Sequence, residues 1–355
     1  MSDLLEEAMV TQDDVAKHAG VERSTVSLVI NGSPKISDKT KKKVMKAIEE
    51  LGYYPNSMAR ALKTARTETV AILINDATST LYSSVIRTAH QFFMPCNYNI
   101  ILCHTYNSRN VEINQLNTLI EKRVDGIIVV SNSSYNNNSH FDRVVKKDIP
   151  LVLINNYGSD CIEGVQLNKI YIDYKEGMRN AIRALVELGH RSILGIGLSG
   201  KGPKIAHVLR GEGYQMAMEE YGFRGRVIDL EEPSYELALR SVETIKEELG
   251  NEYTAAVCVN DLVGAAVIDI AKECNLKIGS DFSVIGFDDL EFCQFTSPPL
   301  TSVRHPLVEA TRIAAEWILK TLNGQSESKP LNVMLPCDII VRQSIGCVRS
   351  REKIK

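Results

Sequence analysis

The chain has no C-x-x-C pair. Its eight cysteines (Cys96, Cys103, Cys161, Cys258, Cys274, Cys293, Cys337 and Cys347) are scattered, several inside apolar runs such as Ala256-Val257-Cys258-Val259. They read as reduced core residues rather than disulfides or zinc ligands. The seven histidines make no H-E-x-x-H or paired spacing, so neither a metal nor a cofactor is expected. No apolar run approaches the length that spans a bilayer. The opening Met1-Ser2-Asp3-Leu4-Leu5-Glu6-Glu7 carries acid where a signal peptide carries base. The expectation is a cytoplasmic protein with no membrane partner. A large charge of one sign is missing too, since the net is only −3. Its distribution is uneven, with eleven Lys/Arg against six Asp/Glu from Thr11 to Arg66 and 30 against 35 from position 67 onward. The basic end is the one to test for nucleic acid.

What is present is an ordinary globular composition, 44% hydrophobic and 24% charged over 355 residues, enough for a small domain and one or two α/β lobes. Residues 9–53 hold three short helical patterns and no strand pattern. The first opens at Thr11-Gln12-Asp13-Asp14 and closes at Ala19-Gly20; the second runs from Arg23 to Ile30, stopped by Asn31-Gly32-Ser33-Pro34. The third opens at Ser37 and carries Val44, Ile48 and Leu51 on one face before Gly52. Residues 54–67 form a linker with some helix propensity, introduced by Tyr54-Pro55-Asn56. From 68 to 345 short Val/Ile-rich runs alternate with amphipathic helical stretches. The runs are Val70–Ile74, Ile100–Cys103, Gly126–Val130, Leu151–Ile154, Ile193–Ile196, Val227–Leu230, Ala256–Val259 and Val284–Phe287; the helical stretches include Glu176–Leu188 and Ala206–Tyr221. The fold class is therefore α/β: a small all-α domain followed by two doubly wound parallel lobes, whose cleft is a natural ligand site.

The segment Val10 to Gly32 meets the physical requirements of a helix-turn-helix. Val15 and Ala16 can pack on Val26 and Val29, Gly20 permits the tight turn, and Arg23, Ser24, Thr25 and Ser27 sit at the exposed start of the second helix. There, side chains reach base edges while hydroxyls and backbone N–H groups hold phosphates. Thr11–Ala16, Ala19-Gly20-Val21, Thr25-Val26-Ser27, Val29-Ile30-Asn31, Ser37–Thr40, Leu51–Asn56 and Ala59-Arg60-Ala61-Leu62 together resemble the LacI/GalR family of repressors, over nearly the full chain. That resemblance implies DNA contacts from Thr11, Arg23, Ser24, Thr25, Ser27, Leu28, Asn31, Asn56, Arg60, Leu62 and Lys63. It also implies a hinge helix that folds on the operator, with Leu62 wedged into a minor-groove step; the alternative is that Leu62 packs on its own core. The run Lys39, Lys41, Lys42 and Lys43 is open between phosphate binding and simple solvation. The chain departs from the family at Glu22, where Ser is common, and at Leu28, where Arg is common, so Arg23, Ser24 and Leu28 are the choices for base discrimination.

The remainder resembles the periplasmic-binding-protein-like core of the same family through Arg210–Tyr214, Val259-Asn260-Asp261, Gly286–Asp289 and Pro298–Val303. The resemblance carries Arg210, Asn260 and Asp288 onto effector-contacting positions, types that suit a polyol. Asp76 and Tyr82 join them after the first strand. The structural alternatives are helix caps for Asp261, Asp288 or Asp289 and an interlobe ion pair for Arg210. A sugar or sugar phosphate is the first expectation for the effector; a purine, or a phosphorylated carrier protein acting as corepressor, stays open. A rival comes from Gly195-Ile196-Gly197-Leu198-Ser199-Gly200, which matches the G-x-G-x-x-G fingerprint of an NAD(P)-dependent oxidoreductase. Against it, the match lies late in the chain, Asp229 is 29 residues past Gly200, and a helix-turn-helix would be idle in such an enzyme. The expectation is no enzyme but a homodimer on near-palindromic double-stranded operator DNA, with a tetramer left open and a small-molecule effector that either releases or promotes binding.

Overall fold

The computed structural model describes residues 10–54, 66–130, 138–201, 204–230, 234–251, 253–325 and 329–348. Backbone contacts divide the chain into two compact units, Met1–Thr67 and Glu68–Lys355.

The first unit contains α1 (Gln12–Ala19), α2 (Arg23–Ile30) and α3 (Asp38–Leu51). Their ends follow from local chemistry. Thr11 and Asp14 form a reciprocal capping box, with the Asp14 carboxylate accepting from the Thr11 backbone N–H at 2.9 Å, and Gly20 leaves α1 at φ 57°. Ser37 accepts from the Thr40 N–H at 3.3 Å, and Gly52 ends α3 at φ 62°. Val15, Ala16, Ala19, Val26, Val29, Val44, Ala47 and Tyr53 make the core. It is small, so each capping bond, at about 1 kcal/mol, is a sizeable share of its stability.

The second unit holds two lobes. The first is built from β1 (Thr69–Ile74), α4 (Thr80–Phe93), β2 (Asn99–His104), α5 (Arg109–Glu121), β3 (Gly126–Val130), α6 (Asp142–Val145), β4 (Leu151–Ile154), the short hairpin β5 (Cys161–Ile162) and β6 (Val165–Gln166), and β7 (Asn168–Ile172). The second takes α7 (Tyr174–Glu187), β8 (Ile193–Ile196), α8 (Ile205–Glu220), β9 (Arg226–Ile228), α9 (Tyr235–Arg240), α10 (Val242–Asn251), β10 (Ala255–Cys258), α11 (Asp261–Glu273), β11 (Ser283–Asp288) and β12 (Thr301–Arg304). The chain then returns α12 (Leu307–Leu322) and β13 (Asn332–Leu335) to the first lobe and ends with β14 (Asp338–Ile340) in the second. The first sheet runs β13-β7-β4-β3-β1-β2, all parallel; the second runs β14-β12-β11-β10-β8-β9, with β14 alone antiparallel. Three crossovers therefore join the lobes, after β7, β12 and β13. Alternation along the strands buries both faces: Ala71 and Leu73 pack with Leu116 and Leu119 of α5, while Val70, Ile72 and Ile74 pack with Val85 and Ala89 of α4 and with α12.

Four strands and the hairpin had no apolar signature. In β7 the fully buried Lys169 donates to the Gly158 carbonyl at 2.6 Å and to Asp160 Oδ1 at 2.8 Å, so a lysine occupies a core position. In β12 Thr301 and Ser302 are buried because each has a distant polar partner, Ser344 and Asp261. All eight cysteines are free; Cys103, Cys258, Cys293 and Cys337 lie in the core as expected, whereas Cys96, Cys161 and Cys347 are exposed. No helix among the described residues is long and apolar enough to cross a membrane.

The glycines of the oxidoreductase fingerprint have packing roles. A Cβ on Gly195 would meet the Tyr214 ring at 3.1 Å, and Gly197 (φ 73°) and Gly200 (φ 69°) turn the chain after β8. Gly200 in turn lies against Gly211 of α8, where a Cβ would sit 2.4 Å from the Gly200 nitrogen.

Candidate functional site

Helix α2 turns Val26 and Val29 inward and leaves Arg23, Ser24 and Leu28 exposed, with Thr25 and Ser27 half-buried. Its N-cap residue is Glu22, but no side chain accepts from the N–H groups of its first turn and no acid lies within that turn, which leaves those groups open to a phosphate. Two contacts shape this surface. Asp13 Oδ2 stands 3.9 Å from Arg23 Nη1, and Ser24 Oγ donates to Glu22 Oε2 at 3.1 Å. Thr11 is engaged in the capping box, and Asn31 donates to Ser27 Oγ at 3.4 Å. Lys39, Lys42 and Lys43 of α3 are exposed and Lys41 is partly so. Asn56, Arg60, Leu62 and Lys63 lie outside the described residues.

The second constellation sits between the lobes. Arg210 of α8 is buried, donating to the Val259 carbonyl at 2.6 Å and to Asp288 Oδ1 at 2.7 Å. Its guanidinium carbon lies 3.8 Å from the Phe287 ring centroid and 5.0 Å from that of Tyr174. Asp288 ends β11 at φ 112°. Burial pushes its carboxyl above the ordinary range while the Arg210 charge opposes the shift. The Arg210–Asp288 pair belongs to one lobe, so it is not the interlobe bridge entertained above.

Around this pair the crossovers contribute Tyr174 and His305. The Tyr174 hydroxyl and His305 Nε2 are 2.7 Å apart, and His305 Nδ1 lies 3.8 Å from Asp288 Oδ1. Burial first, and then the Arg210 charge, hold His305 well below its usual pKa, so it is a neutral imidazole. His305 Nδ1 and Arg210 Nε are both buried without a hydrogen-bond partner among the described residues. Tyr82, buried on α4, joins them, and with Leu81, Asn155, His207 and others they enclose a cavity of about 40 Å³.

Of the five effector candidates, the structure brings Tyr82, Arg210 and Asp288 together. Asn260 instead accepts from the Val263 N–H at 2.9 Å as the N-cap of α11, the role expected of Asp261. Asp76 accepts from the Thr78 N–H and hydroxyl at 2.9 and 2.8 Å within its own loop. Neither lines the cavity. Asp261 is fully buried, taking Ser302 Oγ at 2.5 Å and the Leu290 N–H at 2.8 Å. Burial and the facing Asp288 charge raise its pKa from 3.8 to about 7. Asp289 accepts from Arg304 and Arg342 at 2.8 and 2.6 Å and caps nothing. Sequence reasoning did not single out Tyr174 or His305 as cleft residues; the one available signal was polarity where an apolar strand gives way to an amphipathic helix.

A three-helix reading unit followed by two parallel-sheet lobes around a polar cleft defines a DNA-binding regulator with a periplasmic-binding-protein-like domain. The comparisons give the same result. The family model for bacterial regulatory proteins of the lacI family matches residues 11–56, and that for a periplasmic binding protein-like domain matches residues 182–345. Catabolite control protein A of Priestia megaterium is 32% identical over 94% of this chain and 99% of its own. The HTH-type transcriptional repressor PurR of Vibrio campbellii is 33% identical over 95% and 99%. A lac repressor dimer solved with operator and the anti-inducer ONPF has a TM-score of 0.78 at 24% identity, over 94% of this chain and 98% of that one. The transcriptional regulator CelR in complex with cellobiose has a TM-score of 0.63 at 26% identity, over 94% and 99%. The chain belongs to the lacI family. It is a DNA-binding transcriptional repressor with an effector-binding domain, and it is not an enzyme.

Proposed function

We propose that two copies of this chain bind a near-palindromic duplex operator through their α2 helices, and that an effector in the interlobe cleft sets the affinity. The observation that carries the reading is α2 itself, which buries Val26 and Val29 and presents Arg23, Ser24, Thr25, Ser27 and Leu28 from an uncapped positive end. Thr11, Asn31, Asn56, Arg60 and Lys63 join as backbone contacts and Leu62 as the hinge wedge. One α2 covers one half-site, so useful affinity needs a two-fold pair with half-sites about one helical turn apart. The dimer solved on its operator supports that arrangement through its shared fold.

For the effector, the cleft favours an uncharged sugar over a sugar phosphate. Arg210 is already neutralised by Asp288, His305 is neutral, and no other Lys or Arg lines the inner cavity among the described residues. A phosphate would bring unpaired charge into a buried site. The cellobiose complex of a relative agrees with a sugar. The cavity's size supports a second reading, in which control comes from a phosphorylated carrier protein acting as corepressor at the surface; a purine, the other alternative, meets the same limit of size as a sugar. About 40 Å³ holds a few waters, well short of the roughly 300 Å³ of ordinary ligand sites, so a sugar reaches Arg210 only if this inner cavity widens into the larger opening of about 960 Å³ that shares Leu81, Asp288, His305 and Leu307 with it.

Random-pool operator selection with and without candidate sugars, followed by gel shifts, tests the whole. The expected result is one near-palindromic site whose affinity changes with an uncharged sugar. The log–log salt slope should be roughly −0.9 per neutralised phosphate, and a slope near zero contradicts the assigned face.

A further inference from the structure

We infer that Glu22 is a base-reading residue, one that selects an exposed amino group, that of cytosine, in the operator half-site. The inference rests on the operator reading above and goes beyond it.

Glu22 stands at the N-cap of α2, the usual place for a side chain that accepts from the free N–H groups of the first turn. It does not do this. Its carboxylate accepts instead from Ser24 Oγ at 3.1 Å. The cation next to it in sequence does not neutralise it either, since Arg23 reaches back to Asp13 at 3.9 Å. Among the described residues Glu22 has no ion-pair partner. It is therefore an exposed carboxylate with no side-chain cation beside it, held by Ser24 on the surface that meets DNA.

Against duplex DNA this group has few favourable partners. Phosphate and sugar oxygens, and the O6, N7 and O4 atoms of bases, are acceptors and repel it. In the major groove only the amino groups of cytosine and adenine donate. Adenine presents its amino group beside the acceptor N7, which suits a side-chain amide, whereas cytosine presents a donor alone, which suits a carboxylate. A carboxylate held here thus penalises most sequences electrostatically and is relieved by a cytosine at one position. Ser24 is the positioning residue: its hydroxyl holds Glu22 and leaves the second carboxylate oxygen to accept from the base. Leu28, 40% exposed on the same helix, adds an apolar surface suited to a thymine methyl.

The test is operator selection with the full-length wild type, Glu22→Gln, Glu22→Ala and Ser24→Ala, read as base preference at each half-site position beside affinity for unrelated duplex. Wild type should prefer cytosine at one position by about 5- to 150-fold. Glu22→Gln should move that position toward adenine and Glu22→Ala should flatten it, each with the other positions unchanged, while Ser24→Ala, which also removes a hydroxyl from the DNA-facing surface, should weaken it. Affinity for unrelated duplex should rise in both Glu22 variants. If both instead change affinity by the same factor on every sequence and keep the wild-type base profile, Glu22 is only a repulsive charge and the inference fails while the operator reading stands. If wild type selects no sequence at all, both fall together.

Discussion

Replacing Asp288 with Asn isolates the charge of Arg210 with little change of shape. Asn is among the few residues that tolerate positive φ, so the 112° turn at this position survives. What is lost is the anion 2.7 Å from a guanidinium that is only 3% exposed, leaving one strong acceptor, the Val259 carbonyl, and the Phe287 face. Breaking a buried pair on one side costs about 3–5 kcal/mol. Because Asn still offers its carbonyl to Arg210, the lower end applies: about 3 kcal/mol, or roughly 150-fold in the folding equilibrium. The double variant Arg210→Met/Asp288→Asn removes both charges and should return to within about 1 kcal/mol of wild type, since a buried ion pair and an apolar replacement are often nearly equal. The chain has a single tryptophan, Trp317 in α12, so its fluorescence in urea reports the two-lobed unit alone. At a slope of about 3 kcal/mol/M, the single variant's midpoint drops by about 1 M. If Asp288→Asn stays within about 0.5 kcal/mol of wild type, or the double variant is no better than the single, Asp288 does not hold the Arg210 charge.

Three other measurements probe separate parts. The Asp261 carboxyl has a folded pKa raised from 3.8 to about 7, so the folded state binds more protons than the unfolded one between those values. Its contribution is full below about pH 4 and is lost as pH rises through about 7; Asp261→Asn should remove that fall from the Trp317 unfolding midpoint, and an unchanged pH slope contradicts it. Ser37→Ala deletes the cap on α3 and should cost the reading unit about 1 kcal/mol by helical circular dichroism, with the Trp317 transition unmoved. Gly213→Ala places a Cβ 2.5 Å from the Lys175 carbonyl oxygen, where α7 and α8 pack backbone to side. The overlap should outweigh the helix-propensity gain and destabilise the lobes by about 1–3 kcal/mol, whereas a neutral result would mean that the two helices slide freely.

Much of the fold was legible because its signals are local. Thr11, Gly20, Ser37 and Gly52 mark helix ends through contacts within four residues, and α2 spans the predicted Arg23–Ile30. The Val/Ile runs of β1, β3, β4, β8, β10 and β11 declare two buried sheets without knowledge of their neighbours. Strands β7 and β12 were hidden because their polar residues are buried by partners far away in sequence: Lys169 by Gly158 and Asp160, Ser302 by Asp261, Thr301 by Ser344. The cleft divides along the same line. Arg210 and Asp288 meet across 78 residues, yet the family resemblance of their flanking motifs placed both; the same resemblance carried Asn260, and position after the first strand suggested Asp76, but these spend their polar atoms on a cap and a turn.

The cleft's polar groups also explain why a ligand there would act on the whole unit. Tyr174 lies on the crossover after β7 and His305 on the crossover after β12, and their 2.7 Å hydrogen bond ties two of the three connections between lobes. Both rings touch the Arg210–Asp288 pair, Tyr174 under the guanidinium and His305 beside the carboxylate. A ligand hydroxyl that donates to Asp288 or bonds His305 Nδ1 competes with that arrangement at the connections themselves rather than on a lobe surface. A shift of a few tenths of an ångström there is multiplied by the lever arm of a whole lobe, because packed cores move as bodies rather than deform. Differential binding of about 1–3 kcal/mol between the two lobe settings is then enough to change DNA affinity several-fold to a hundredfold, and its sign depends only on which setting the ligand's hydrogen bonds fit better.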